Sequence, residues 1–464
     1  MTSRSRRPQY WQVAGFVAVI MINSAFYQSK AIANTTNNLK NIRKISLAEA
    51  LQLASQQNLN VRTAVLEKEI SEEIVAEKKD DKLPNVDLHG SYALMSNMME
   101  YPNGLNSEGT FIHTIREIYD LTANAKVPIY LGGQIKNTIH KAEQQAELAE
   151  IKAKKTEKDV HNEVINNYLH ICKLLQMQTL LTENIKEEQD RLHEIQSLRK
   201  NSVVTSDQLI RAQFQLSQMQ LLQVNNRRGV AMATHRLHTL LQLPEEDTLV
   251  IDTAQVMNSP LQVADYQTYL MAAMTKEEVQ MAQKEEHISE IDLKNVRAGY
   301  MPQINGFGTF GYNYPNYMLF LFPPHPYLYS LGRAGIDLSW SVSNLYKNRK
   351  RVHTAHQQVN LKKLKTNTLK EQTRDLIFDK YTQLQEMNDR IPITQTAIAQ
   401  AQENYRIVKK KYLNGLAIST EMIDADNALL QAKYDYVAAR IEAINQYYQL
   451  LHAAGLAVQD SSSR

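Results

Sequence analysis

Lys411-Tyr412-Leu413-Asn414-Gly415-Leu416-Ala417-Ile418-Ser419 is a tight turn between two long polar stretches. Its counterpart lies 213 residues earlier, at Leu198-Arg199-Lys200-Asn201-Ser202-Val203-Val204-Thr205-Ser206. The shared register reaches well beyond the turn. His140, Ala142 and Gln144 meet His353, Ala355 and Gln357, and Ile210, Ala212 and Leu216 meet Ile423, Ala425 and Leu429. Val224, Arg227 and Leu237 meet Val437, Arg440 and Leu450. The offset holds without a gap from Val127 to Leu243 and drifts upstream, where Pro84 meets Pro302 at 218. A gapless register that includes His, Ser and Arg is more than two Ala- and Gln-rich helices share by composition. The chain reads as a duplication, with repeats at 34–245 and 246–457 and a disordered tail at 458–464.

Each repeat has one order: a medium helix, two strands around a loop, a very long helix, a tight turn and a returning helix. Ser46-Leu47-Ala48-Glu49 is a capping box with Ile45 as its staple, opening a helix predicted to run to Lys82. The pattern places further helices at 133–200 and 206–243, then at 262–298, 346–412 and 418–455. A helix of roughly 68 residues spans roughly 100 Å, and two shorter ones stacked end to end match it. Lengths of that order call for a coiled coil. Ala425, Leu429, Ala432, Tyr436, Ala439 and Ala443 step by alternating fours and threes, as a heptad seam requires, and the alanines imply close approach. Pro392 falls inside the second long helix and predicts a kink or break there.

The segments at 85–95, 118–128, 303–314 and 332–342 read as strands. Val86, Leu88, Gly90, Tyr92 and Leu94 alternate with Asp87, His89 and Ser91. Leu121, Ala123, Ala125 and Val127 alternate with Thr122, Asn124 and Lys126. Ala334, Ile336, Leu338, Trp340 and Val342 alternate with Gly335, Asp337, Ser339 and Ser341, and the third strand is less regular. Alternation over about ten residues fits a membrane barrel as well as a half-buried sheet. No globular part of the chain remains to provide a core, which favours the barrel. Four strands close no membrane barrel, and open edges are not tolerated in lipid. The chain must therefore share its barrel with other copies, two giving eight strands and three giving twelve.

Composition agrees. Of 464 residues 43% are hydrophobic, Gly and Pro are scarce, and the net charge of +3 is too small for a nucleic-acid protein. Arg4, Arg6 and Arg7, the apolar run 13–22 and Ala31-Ile32-Ala33 read as a signal peptide over 1–33. Its removal takes the net charge from +3 to −1. The single cysteine, Cys172, excludes an intrachain disulfide and sits among apolar neighbours, as a packing residue does. Gly306-Phe307-Gly308-Thr309-Phe310-Gly311 matches a dinucleotide-binding spacing, but a Pro- and Tyr-rich loop follows it where a helix is required. His353 and His356 have no carboxylate or thiol partner nearby in sequence and read as surface residues. No catalytic, metal or cofactor constellation emerges. The segment 312–329 reads as an extracellular loop with an interfacial aromatic belt, and 96–117 as a second loop on the same side.

The chain resembles the TolC-type outer membrane efflux protein family over the whole mature length. The resemblance is carried by Ser46-Leu47-Ala48-Glu49-Ala50-Leu51 at the opening helix and by Val127-Pro128-Ile129-Tyr130-Leu131-Gly132-Gly133 at the strand-to-helix junction. The tip turn from Lys411 to Leu416 with Ser419 is its third element. Asn58-Leu59 stands where the family often has Asn-Pro, and the second junction, Trp340 to Tyr346, lacks both the Pro and the paired Gly. The resemblance implies a mainly α fold with a small β part. It implies a homotrimer in which twelve strands form one outer-membrane barrel and antiparallel coiled helices form a periplasmic tunnel. It further implies a periplasmic adaptor (membrane fusion protein) docking at the helix tips, an inner-membrane transporter that supplies the energy, and no catalysis by the chain itself. A periplasmic coiled-coil adaptor is the rival reading. Adaptors have one helical hairpin and β-rich flanks, whereas this chain has two hairpins and barrel-like strands.

The candidate site residues follow. Arg199, Asn201, Ser202, Asn414, Gly415, Leu416 and Ser419 form the turns as adaptor-docking tips, with Gly415 free to take a positive φ and Ser206 and Ser419 placed to cap the returning helices. Glu421 and Asp424, at i and i+3, share a helix face where the family carries acids at the tunnel's narrow entrance. A trimer would gather six carboxylates there, a ring that favours cations. The first repeat has Gln208 and Arg211 instead, and Arg211 is expected to pair with an acid on a neighbouring helix.

Overall fold

The computed structural model describes residues 42–201, 204–244, 246–258, 261–315 and 327–456. The signal-peptide reading, the C-terminal tail, Ser202 and most of the 312–329 loop lie outside the described residues. In chain order the elements are β1 (Ile42–Ile45), α1 (Leu47–Gln57), α2 (Leu59–Asp80), β2 (Asn85–Leu94), β3 (Met98–Glu100), β4 (Thr110–Ile112), β5 (Glu117–Leu131), α3 (Gln134–Lys200) and α4 (Ser206–Leu241). The second half continues with β6 (Thr248–Ile251), α5 (Thr253–Asn258), α6 (Tyr266–Ala273), α7 (Glu277–Ala298), β7 (Gln303–Tyr314), β8 (Tyr329–Ser339), α8 (Asn344–Leu413) and α9 (Ser419–Ala453). The duplication is legible in these bounds. Adding 218 to the ends of α2 gives those of α7, and adding 213 to the start of α4 gives that of α9.

Two expected helices are each divided. The run 46–82 breaks at Asn58, which is buried and fully used. Its amide closes α1 onto the Ala54 carbonyl, its Oδ1 accepts from Asn60 N–H at 2.9 Å, and its Nδ2 donates to the Leu240 carbonyl at 2.9 Å. A residue that satisfies three backbone groups, two of them through its side chain, is worth more here than one further helical turn. The run 262–298 divides likewise into α6, capped by Asp265, and α7. Ser46 caps α1, accepting from Glu49 N–H at 3.2 Å, while the Glu49 carboxylate turns to Arg43.

α8 does not break at Pro392; it is helical across it. Asn388 and Pro392 are both exposed, so the carbonyl deprived of its partner can face water. The hydroxyls of Thr394 and Thr396 bond back to the Arg390 and Pro392 carbonyls at 3.1 and 3.0 Å.

Halfway down the helices sits a pair that the periodicity did not reveal. β1 and β6 are four-residue strands, one from each repeat, joined in parallel. Tyr168 of α3 is fully buried beneath them; its hydroxyl donates to the Ile45 carbonyl at 3.0 Å and accepts from Asp252 N–H at 3.2 Å. Around it pack Ile45, Ala54, Val164, Cys172, Leu237 and Ile251, the main apolar core. Burial pushes the Cys172 thiol up to about 12, which leaves it unreactive.

The four strands form one antiparallel sheet in the order β2-β5-β7-β8. Its register settles the face of the irregular third strand. Gly306, Gly308, Phe310 and Tyr312 join Val86, Leu88 and Ala123 on the apolar face, and Asn305, Phe307 and Thr309 join Asp87 and Asn124 on the polar one. β8 lies three residues earlier than expected at both ends, and the Trp340 indole beyond it donates to the Tyr300 carbonyl. β5 bulges between Pro128 and Tyr130, where a strand proline is tolerated. It then turns into α3 through Gly132 (φ +65°) and Gly133 (φ +86°). A Cβ on Gly132 would lie 2.7 Å from the Ala298 carbonyl, so the junction requires glycine twice over. The short hairpin β3–β4 rises from the 96–117 loop.

Below the sheet α2 packs on α3, α3 on α7 and α7 on α8; lower down α4 packs on α3 and α9 on both α3 and α8. The upper layer packs a small apolar cluster of Leu293, Ala355 and Val359 and is bridged at its surface by ion pairs. Lys152–Glu67 (2.6 Å), Lys141–Asp292 (2.7 Å) and Lys362–Glu285 (2.6 Å) cross successive helix pairs, with Lys158–Glu277 and Lys284–Glu147 between them. The heptad seam of α9 is buried or half-buried along its length. Among the described residues no helix is long and apolar enough to cross a membrane.

Candidate periplasmic aperture and tips

At the far end of the molecule from the sheet, the two hairpins turn differently. α8 ends in a Schellman motif: Leu416 N–H bonds the Lys411 carbonyl at 2.8 Å, Gly415 N–H bonds Tyr412, and Gly415 sits at φ +69°. Leu413, Leu416 and Ile418 stand exposed around it, Leu416 at 77%. In the first hairpin Arg199 does the holding. It donates to Ser206 Oγ at 2.7 Å and to the Val204 carbonyl, clasping both sides of the turn that Asn201 begins.

The capping serines were misplaced by one residue. Thr205 caps α4, accepting from Gln208 N–H. The N-cap of α9 is Ile418, which offers no side-chain bond, and Ser419 is the first helical residue, 4% exposed. In both turns the residue before the serine already has the extended backbone of a cap. Ser419 therefore lies inside the packing, while Asn414, Gly415 and Leu416 are exposed.

Glu421 and Asp424 are exposed on one stripe of α9, continued by Ala428 and Gln431, while Met422, Ala425, Asp426 and Leu429 face inward. The first-repeat counterparts are arranged otherwise. Within the chain Arg211 pairs on its own helix. It bonds Asp207 one turn earlier on α4 at 2.8 Å, the i,i+4 spacing at which side chains on a helix face meet. Gln208 is half-buried, its Oε1 enclosed without a partner.

About one and a half turns deeper lies a cluster that sequence reasoning missed. Glu188 and Arg191 of α3 and Asp426 of α9 are 1%, 8% and 2% exposed. Arg191 Nη1 is 2.8 Å from Glu188 Oε1, and Nη2 is 3.4 Å from Asp426 Oδ2. Tyr405 of α8 faces the same guanidinium. One cation opposes two carboxyl groups, so the site is neutral only with one proton bound. Burial, and then the neighbouring Asp426, push the Glu188 carboxyl up to about 8, against the pull of Arg191. Burial works against the Arg191 charge, but the two acids outweigh it and raise its affinity for the proton. The equivalents in the other repeat are Ala401, Asn404 and Gln213. The loss of repeat symmetry beside the heptad seam was the available signal. Next to the cluster Gln215 Nε2 donates to Asn427 Oδ1 at 2.6 Å, joining α4 to α9.

The chain thus presents a sheet with two open edges, long paired helices beneath, and a buried polar cluster toward their far end. The outer membrane efflux protein family model matches residues 50–241 and again 271–456, and the chain belongs to that family. It is an outer-membrane export channel with a long periplasmic helical extension, not a periplasmic adaptor. The fold is shared with the outer-membrane channel OprN (15% identity, TM-score 0.72, covering 89% of this chain and 90% of that one). VceC of Vibrio cholerae matches at 15% identity and TM-score 0.70, over 88% and 96% of the two chains. The open-state MtrE outer membrane channel of Neisseria gonorrhoeae matches at 15% identity and TM-score 0.70, over 88% and 89%. No curated protein matches the chain by sequence.

Proposed function

We propose that three copies assemble into one passive exit duct, entered through an acidic aperture at the periplasmic tips. The observation that carries this reading is the sheet. β2 and β8 are its open edges and run in opposite senses, so β8 of one copy can extend antiparallel onto β2 of the next. Unpaired strand edges in hydrocarbon cost several kcal/mol per group, which only closure into a common barrel removes. Three copies give twelve strands, and the helices continue the ring as a tunnel.

At its lower end the exposed stripes of α9 bring together three copies of Glu421 and of Asp424, a ring of carboxylates that admits cations and delays anions. Gln208 and Arg211 occupy the matching level of α4, so the ring alternates acidic and near-neutral sectors. The tips around Asn201 and Gly415 are the docking surface for a periplasmic adaptor, with exposed Leu416 as its apolar contact. Ser419 supports that turn from within, and an inner-membrane transporter supplies the energy. In planar bilayers the purified protein is expected to conduct cations in preference to anions, and Glu421→Gln with Asp424→Asn to lose most of that preference. Unchanged reversal potentials in the double variant would remove the ring from this account.

A further inference from the structure

The flanks of the chain carry opposite charge. α2 and α8 are the outermost upper helices, since α2 packs on α3 and α8 on α7, and they lie directly beneath the two open sheet edges. Residues 344–370 of α8 contain eight Lys and Arg and no acid. Lys362 and Lys363 of these are bound to α7. Lys347, Arg349, Lys350 and Arg351 are exposed and form no ion pair among the described residues, at a helix start where cations oppose the dipole. α2 carries six carboxylates between Glu67 and Asp80, and its outward stripe reads Leu66, Ile70, Glu73, Glu77, Asp80. Leu66 and Ile70 are 58% and 60% exposed, and on α8 Leu361 and Leu364 are 51% and 65% exposed.

We infer that α8 of one copy docks along α2 of a second copy, with Lys347, Lys350 and Arg351 set against Glu77 and Asp80 just below the membrane and Leu361 against Leu66 further down. The inference rests on the trimeric reading above and specifies its seam.

The duplication supplies the register. α8 is the repeat equivalent of α3 at 213, and α2 that of α7 at 218. α3 packs on α7 within the chain, so α8 is built to pack on a helix like α7, and the free α2 of a neighbour is that helix. The α3–α7 contact Lys141–Asp292 transfers to Thr354 and Ile74, and Lys284–Glu147 to Leu66 and Asn360. In that register Lys350 lies beside Glu77, Lys347 beside Asp80 and Leu361 beside Leu66. Among the described residues Glu77 pairs with the adjacent Lys78 alone. The within-chain contact is bridged by salt links at several levels. The between-chain contact replaces them with a leucine stripe and a block of charge of one sign on each side, which also disfavours pairing two α8 flanks or two α2 flanks.

The test is cross-linking of the full chain in detergent. Lys350→Cys with Glu77→Cys is expected to give a reducible ladder up to three chains on denaturing gels, and Lys350→Cys with Thr63→Cys, roughly 20 Å out of register at 1.5 Å per residue, to give none. Lys347→Glu/Lys350→Glu/Arg351→Glu is expected to lose most of the trimer by native mass measurement. Adding Glu73→Lys/Glu77→Lys/Asp80→Lys is expected to restore it, which separates a broken seam from a broken fold. A monomeric wild-type protein would overturn the trimeric reading and the seam with it. A trimeric wild type with no ladder and no rescue would overturn the seam alone.

Discussion

Replacing Glu188 by Gln isolates the proton that the buried cluster holds. Glu188, 1% exposed, has its carboxyl raised from an ordinary 4.5 to about 8 by burial and by Asp426. A group that binds its proton more tightly when folded takes one up on folding, between the unfolded value of 4.5 and the folded value near 8. Stability from this group is therefore greatest below pH 4.5, falls as pH rises across that interval, and is constant above it. Each pH unit is worth about 1.4 kcal/mol, so the full span amounts to about 4–5 kcal/mol as an order of magnitude. Gln is isosteric, keeps an oxygen for Arg191 Nη1, and neither binds nor releases the proton. Other groups titrate equally in both proteins and cancel in the difference. Melting of the detergent-solubilised protein, followed by helical circular dichroism from pH 5 to 9, should show E188Q gaining on wild type by several degrees between pH 5 and 8 and no further above it. Parallel curves would refute the neutral-cluster argument. A gap that widens toward acid would reverse its sign. Arg191→Met provides the contrast: it strands two buried carboxyl groups and should cost about 3–5 kcal/mol at every pH where either is ionised.

Tyr168→Phe removes a buried hydroxyl that bonds Ile45 and Asp252 across the parallel strand pair. The Ile45 carbonyl and Asp252 N–H lose this hydroxyl but stay bonded to each other at 3.4 Å, so a loss of about 1 kcal/mol is expected in chemical denaturation, with faster amide exchange confined to Ile42–Ile45 and Thr248–Ile251. Pro392→Ala supplies the donor missing from the middle of α8 and should stabilise that helix by up to about 3 kcal/mol. Slower amide exchange around residues 388–396 is the readout, and unchanged exchange there would mean that the turn is held by its neighbours rather than limited by proline.

What could be read in advance follows from periodicity and repetition. Heptads, alternation and the 213-residue echo act along the chain, and they located the hairpins, the four strands and both tips. The parting at Asn58 was invisible because the side chain there is engaged by a distant carbonyl, that of Leu240. β1 and β6 were too short to alternate and pair only across repeats. The cap of α4 slipped by one because Thr205 and Ser206 are chemically alike as caps, and that of α9 because the backbone places Ile418, which has no capping group, at the N-cap. The Asp207–Arg211 pair follows from a local i,i+4 rule and needs no tertiary information.

The polar cluster was missed for a reason that bears on how such a tunnel can open. Glu188, Arg191 and Asp426 have no equivalents in the opposite repeat, so repetition concealed them. Everything above them is doubled: α2 and α7, α3 and α8, the seams of α4 and α9. A structure of near-equivalent parts has no reason to move at one place rather than another. A buried charge cluster on one hairpin junction breaks the equivalence, because separating α9 from α3 there exposes a guanidinium and releases a proton, whereas the same separation at Ala401 and Asn404 does neither. Such pairs contribute little net stability against an apolar core but impose a sharp penalty on wrong or partial separation. The stripe bearing Glu421 and Asp424 is on the same helix, two to five residues from Asp426. A shift of α9 that breaks the cluster would therefore carry the proposed ring with it, so neutralising Glu188 should alter the conductance of the pore as well as its stability, and alter it most above pH 8.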